Sequence, residues 1–112
     1  MRDITVSGEL PYGHKDEQGA IHRDFTMRPV TLADLEAMED AYPELLARDN
    51  WLTRRRLTWA FALEKLGDLP REAITPELLA GLPLQDFNVL AAAEDDLAKK
   101  LRAAYGREED GV

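Results

Sequence analysis

ITPELLAGLPLQDFNVLAAAEDDLAKKLRAAY, residues 74–105, contains the clearest helix start of the chain and its longest helix. Thr75 is suited to cap a helix and Pro76 to occupy its first position, so a short helix is predicted over 76–81. The Gly-Leu-Pro break that follows ends it, and a second helix is predicted over 84–105. The apolar stripe of this last helix comprises Phe87, Leu90, Leu97, Leu101 and Tyr105.

A middle helix is predicted over 51–66, with Asn50 as its N-cap and Gly67 just past its end. It has two apolar faces. One face carries Leu57 and Phe61, four residues apart, and either packs within the fold or receives another helix. The opposite stripe comprises Leu52, Trp59, Leu63 and Leu66.

The N-terminal part predicts a β-hairpin over 3–28. Residues 3–7 and 20–28 alternate between polar and apolar side chains, as half-buried strands do. Residues 10–19 are rich in turn formers and charge, which predicts a mobile loop between the strands. The apolar face of the second strand comprises Ile21, Phe25 and Met27, and its polar face includes His22.

A first helix is predicted over 32–48, where Thr31 and Asp34 have the spacing of a capping box. Its apolar stripe is Leu35, Met38 and Tyr42, and Pro43 breaks or kinks it. The fold predicted for the whole chain is therefore α+β, an N-terminal antiparallel hairpin packed on about four helices. Residues 1–106 form the predicted domain, and 107–112 a flexible acidic tail.

The composition narrows the classes of function. The chain has 112 residues, no cysteine and a net charge of −8. Such an acidic balance opposes non-specific binding to nucleic acid or to anionic membranes. A chain without thiols, without a signal peptide and without a membrane span is expected in the cytoplasm.

No residue pattern predicts catalysis, a cofactor or a metal site. His14 falls in a predicted loop and His22 on a polar strand face, and surface histidine is the simpler interpretation of both. The acidic pairs at 95–96 and 108–109 are expected to be solvated charge on a helix face and in a tail. We therefore expect a protein that is not an enzyme.

Two features of the middle helix remain as binding candidates. The basic run Arg54–Arg56 is expected to cover the edges of the apolar stripe, with Glu94 pairing with Arg55 or Arg56, or else to form a binding patch. The second candidate is a docking surface for a partner helix. Its predicted partner-binding residues are Leu57, Phe61, Trp51 and Arg54.

The order of these features resembles that of the small tail assembly chaperones of Mu-like and related contractile-tailed phages and prophages. The matching features are a strand pair that ends in Arg28-Pro29, the segment RPVTLAD, an LGDL turn, and residues 74–90 with Asp86-Phe87 and Leu90 opening the final helix. The resemblance covers about residues 20–101. The long loop at 11–19 and the two tryptophans of the middle helix have no counterpart in the family pattern.

The resemblance implies a non-enzymatic protein that keeps the phage tape measure protein soluble while the tail assembles. It also implies, in many such phages, a frameshift-extended form of the chaperone itself as a further component. No binding residue of the family can be transferred to this chain. An alternative from another class is a small acidic regulator that binds a host protein or mimics nucleic acid, which the net charge allows.

Overall fold

A computed structural model describes residues 4–106 of the chain, and the predicted tail at 107–112 lies outside the described residues. Within this range a three-stranded antiparallel sheet packs with helices, so the predicted α+β class is confirmed. The elements in chain order are β1 (Val6–Lys15), β2 (Ile21–Met27), α1 (Leu32–Ala41), α2 (Pro43–Ala47), α3 (Trp51–Ala62), β3 (Leu63–Leu66), a 3₁₀ turn (Arg71–Ala73), α4 (Pro76–Ala80) and α5 (Leu84–Ala104).

The hairpin has a longer first strand and a shorter turn than predicted. Residues 10–15, predicted as part of a mobile loop, belong to β1, whose pairing with β2 shifts register between Glu9 and His14. Gly13 adopts a positive φ within this irregular segment. The turn itself is held by Asp16, whose carboxylate accepts the backbone N–H groups of Gln18 and Ala20. A loop prediction based on turn formers failed because a bulge also requires such residues.

The middle helix predicted over 51–66 is present as Trp51–Ala62, and the prediction was wrong for residues 63–66, which form the third strand. Leu63 and Leu66 are buried, as the helical stripe required, but they lie in β3 and pair with β2. Arg71 donates to the carbonyls of Ala60 and Phe61, which satisfies acceptors at the end of α3. Without β3, the second edge of β2 would lack its ladder partners.

The core lies where α5 and the end of α3 cover the sheet. Lys100 of α5 also donates to the carbonyl of Thr5, close to the start of β1. At the other end of α5, the Asp86 carboxylate is fully buried and accepts the N–H groups of Tyr12 (3.0 Å) and Gly13 (2.8 Å). Large apolar side chains of this core are Leu10, Phe25, Met27, Trp59, Leu63, Leu66, Ile74, Leu79, Leu90 and Leu97.

The start of α1 agrees with its predicted cap. Thr31 and Asp34 form the capping box, and Arg28 of the preceding segment binds both carboxylate oxygens of Asp34 at 2.7 and 2.9 Å. This hydrogen bonding by Arg28 lowers the pKa of Asp34 to about 2. Of the predicted stripe, Met38 is buried whereas Leu35 remains largely exposed.

His22 is buried, which contradicts its predicted place on a solvated strand face. Its Nδ1 accepts the backbone N–H of Asp68, and its Nε2 lies 2.9 Å from the Asp16 carboxylate. The hydrogen bond from His22 lowers the pKa of Asp16. Gly67 makes room for this ring: it has a φ of 58°, and a Cβ there would collide with His22. Alternation did not predict this burial, because the ring is covered by the Asp16 turn and by the Gly67–Asp68 segment after β3, which lie elsewhere in the chain.

Candidate functional site

An apolar cleft opens between the start of α3 and the junction of α4 with α5. Its volume is about 440 Å³. Both Leu52 and Leu84 line it with much of their side chains in solvent, and Leu84 is 76% exposed. The lining residues are Asn50, Leu52, Thr53, Arg56, Trp59, Leu79, Ala80, Leu82, Pro83, Leu84, Phe87 and Leu90. We call this surface the α3/α5 cleft.

Local sequence signals set the two walls of the cleft. On one wall, Asn50 caps α3 by accepting the N–H of Thr53 at 2.9 Å. On the other, Thr75 caps α4, which ends after a little more than one turn at Gly81. Pro83 then serves as the N-cap residue of α5. Because two helix ends meet within four residues, the leucines beside this break cannot all reach the core.

An aromatic cluster forms the floor and one rim of the cleft. The rings of Trp59 and Phe87 lie 5.2 Å apart, and Trp51 meets Phe87 edge-on at 6.4 Å. The Arg55 guanidinium lies 5.2 Å from the centre of the Trp59 ring and 5.5 Å from that of Phe87. Arg55 also binds Glu94 at 2.8 Å, so the predicted ion pair of Glu94 is present. These contacts fix the rim in place before any partner arrives.

The structure separates the four predicted partner-binding residues. Leu57 is fully buried, so the prediction that it contacts a partner needs correction: it is a core residue. Phe61 is half-buried and its ring meets that of Tyr42 edge-on, so part of this face is occupied by the end of α1. Arg54 is exposed on the same side of α3, facing away from the cleft. Only Trp51, 66% exposed, borders the α3/α5 cleft.

The exposed leucines of the cleft were missed by the sequence prediction. Leu52 was assigned to an internal stripe, and Leu84 was treated only as the start of the last helix. One signal could have identified Leu84: it lies outside the predicted stripe of α5, next to a break that already supplies Leu82 and Pro83. No sequence signal marked Leu52 as exposed, because its position in the helical period is that of a core residue.

The charge of the cleft differs from that of the whole chain. The sequence contains 22 acidic and 14 basic residues, yet no acidic side chain lines the cleft and Arg56 is its charged lining residue. Arg56 donates through Nη1 to the carbonyl of Pro76 at 2.7 Å, which ties it to the start of α4. The cleft therefore combines an apolar surface with one held cation.

Comparison with known proteins assigns no family or function to this chain. No protein-family model matches this chain, and neither does any curated protein or solved structure. Within residues 4–106, no three His, Asp or Glu side chains are grouped so that they could hold a metal ion. None of the helices in this range is long and apolar enough to cross a membrane.

Proposed function

We propose that this protein is a non-enzymatic phage tail assembly chaperone that binds an apolar helical segment of the tape measure protein in the α3/α5 cleft. The observation that carries the binding mode is an apolar cleft with exposed leucine and tryptophan at its rim, on a strongly acidic chain. The identity of the partner rests on the resemblance of residues 20–101 to these chaperones.

The shape and chemistry of the cleft support a helix as the ligand. Amphipathic helices bind in apolar grooves through side chains spaced three and four residues apart. Leu52 and Leu84 line the cleft with exposed side chains, and Trp51 packs beside it on Phe87, so a helix bound in the cleft would cover both leucines. Exposed aromatic side chains that rest on a fixed neighbour are common anchors of interfaces, because little conformational freedom is lost on binding.

The energetic contribution of each rim residue follows from its exposure. Fully burying a leucine side chain contributes about 1.5–3 kcal/mol. Leu84 is 76% exposed, so covering it can supply most of that amount. The net charge of −8 supports the chaperone role in a second way, because like-charged complexes repel one another and stay soluble.

Co-expression with the proposed partner, the tape measure protein of the same genome, tests the proposal. We expect the partner to be soluble with the wild-type chain and with Leu32→Gln, and largely insoluble with Leu84→Gln. Leu32 is a matched control, because it is 81% exposed on α1 and lies outside the cleft. A partner that is equally soluble without this protein would refute the chaperone role. Equal loss with both variants would refute the site.

A further inference from the structure

The two walls of the α3/α5 cleft differ in chemistry. The wall formed by α4 and α5 presents apolar side chains, among them Leu79, Leu82 and Leu84. The wall formed by α3 carries Leu52 and Trp59 and adds the polar residues Asn50, Thr53 and Arg56. A segment that fills the cleft therefore meets apolar side chains on both walls and polar groups on the α3 wall alone.

Arg56 differs from its neighbour in what it binds. Arg55 is neutralised by Glu94 at 2.8 Å. No carboxylate of the described residues pairs with Arg56, whose guanidinium gives one hydrogen bond to the carbonyl of Pro76. A guanidinium has five N–H donors, so several remain for a ligand. The bond to Pro76 also limits the motion of the side chain, which lowers the entropy lost when a ligand binds.

We propose that the α3/α5 cleft selects an amphipathic helix that carries a carboxylate beside its apolar stripe. The stripe packs on the wall of α4 and α5, and the carboxylate binds Arg56 on the wall of α3. A planar guanidinium can bind both oxygens of a carboxylate, which gives direction as well as attraction. The absence of acidic residues from the cleft of an acidic chain supports this choice of ligand. The inference rests on the proposed function and specifies the segment that it would recognise.

Three matched synthetic peptides test the inference. Each is an amphipathic helix with leucines at i, i+3, i+4 and i+7, and one position beside this stripe is Glu, Gln or Lys. Titration monitored by tryptophan fluorescence is suitable, because Trp59 lines the cleft and Trp51 contacts Phe87, another lining residue. We expect the Glu peptide to bind the wild-type protein about 10-fold more tightly than the Gln peptide, and the Lys peptide to bind most weakly. The advantage of Glu over Gln should shrink as salt is added.

Arg56→Gln supplies the matched variant, since it removes the charge and keeps an N–H donor. We expect the Glu and Gln peptides to bind this variant equally. If the Glu and Gln peptides bind the wild-type protein with equal affinity, the carboxylate preference is overturned and apolar docking still stands. If no peptide binds, both are overturned. If Arg56→Gln does not fold, the carboxylate preference is tested on the wild-type protein alone, by the salt dependence of the difference in affinity between the Glu and Gln peptides.

A second copy of this chain is the competing occupant. Sedimentation equilibrium of the protein alone, at the concentration used in the peptide titration, shows whether it self-associates. We expect a monomer. A dimer that Leu84→Gln dissociates would assign the cleft to self-association and overturn the inference.

Discussion

Asp86→Asn tests how the structure joins the sheet to the last helix. The side chain keeps its size, but its carboxylate becomes an amide in a fully buried position. In the wild-type protein the two carboxylate oxygens accept the N–H groups of Tyr12 and Gly13 at 3.0 and 2.8 Å. An amide has one oxygen, so one of these bonds is lost and an NH₂ group faces an N–H donor.

The magnitude follows from these contacts. A hydrogen bond to a charged group contributes about 1.5–3 kcal/mol, and a buried donor left without a partner costs about 1–3 kcal/mol. Part of this loss is offset, because the amide does not carry the desolvation cost of a buried charge. We therefore expect Asp86→Asn to lower the free energy of unfolding by about 3 kcal/mol, a large part of the stability of a domain of this size.

Urea denaturation at pH 7, followed by circular dichroism, measures this change. Asp96→Asn is the matched control, since Asp96 is exposed on the same helix and its change should stay within about 0.5 kcal/mol. Amide hydrogen exchange adds a local measurement, in which Tyr12 and Gly13 should lose protection. A loss of stability below about 1 kcal/mol, with protection unchanged at both amides, would refute this account of the β1–α5 contact.

Two further predictions concern the sheet and the first helix. Gly67→Ala should lower the thermal unfolding temperature more than Gly19→Ala does. Both glycines have a positive φ, but only at Gly67 would a Cβ meet the His22 ring. Equal effects of the two substitutions would contradict the steric contact. Asp34→Asn should cost about 1 kcal/mol at neutral pH after allowance for solvent screening. Because the folded pKa of Asp34, about 2, lies below its value in the unfolded chain, this stabilisation is complete above about pH 5 and is lost as the pH falls towards 2. Urea denaturation of the wild-type protein and of Asp34→Asn at pH 7 and at low pH checks this pH dependence. A difference in their free energies of unfolding that does not shrink in acid would contradict it.

Local chemistry made the helix starts predictable from sequence. Thr31, Asn50 and Thr75 each cap a helix as predicted, because capping depends on residues three positions apart. The break at Pro43 was likewise predictable, because proline cannot donate the backbone hydrogen bond that a helix interior requires.

Long-range pairing accounts for what the sequence did not predict. Leu63 and Leu66 are three residues apart, a spacing that suits a helix as well as the strand they form. The strand is formed because β2, some forty residues earlier, presents an unpaired edge, which no local pattern reports. The same limit applies to His22, whose burial depends on contacts with Asp16 and with the Gly67–Asp68 segment.

The candidate site was only partly predictable for a related reason. The middle helix was identified as having two apolar faces, but periodicity cannot say which face neighbouring elements cover. The face of Leu57 is covered within this chain, and that of Leu52 opens into the cleft. Trp51 was predicted as a rim residue of the Leu57–Phe61 surface, whereas the structure places it against Phe87 beside the cleft.

The decisive measurement is the affinity of the purified protein for a soluble peptide that carries the proposed helical segment of the tape measure protein. Wild type, Leu84→Gln and Leu32→Gln form the comparison, with isothermal titration as the assay. We expect Leu84→Gln to weaken binding by about 10-fold or more, which corresponds to about 1.4 kcal/mol, and Leu32→Gln to bind as the wild-type protein does. Equal binding by all three proteins would contradict the assignment of the α3/α5 cleft as the docking site.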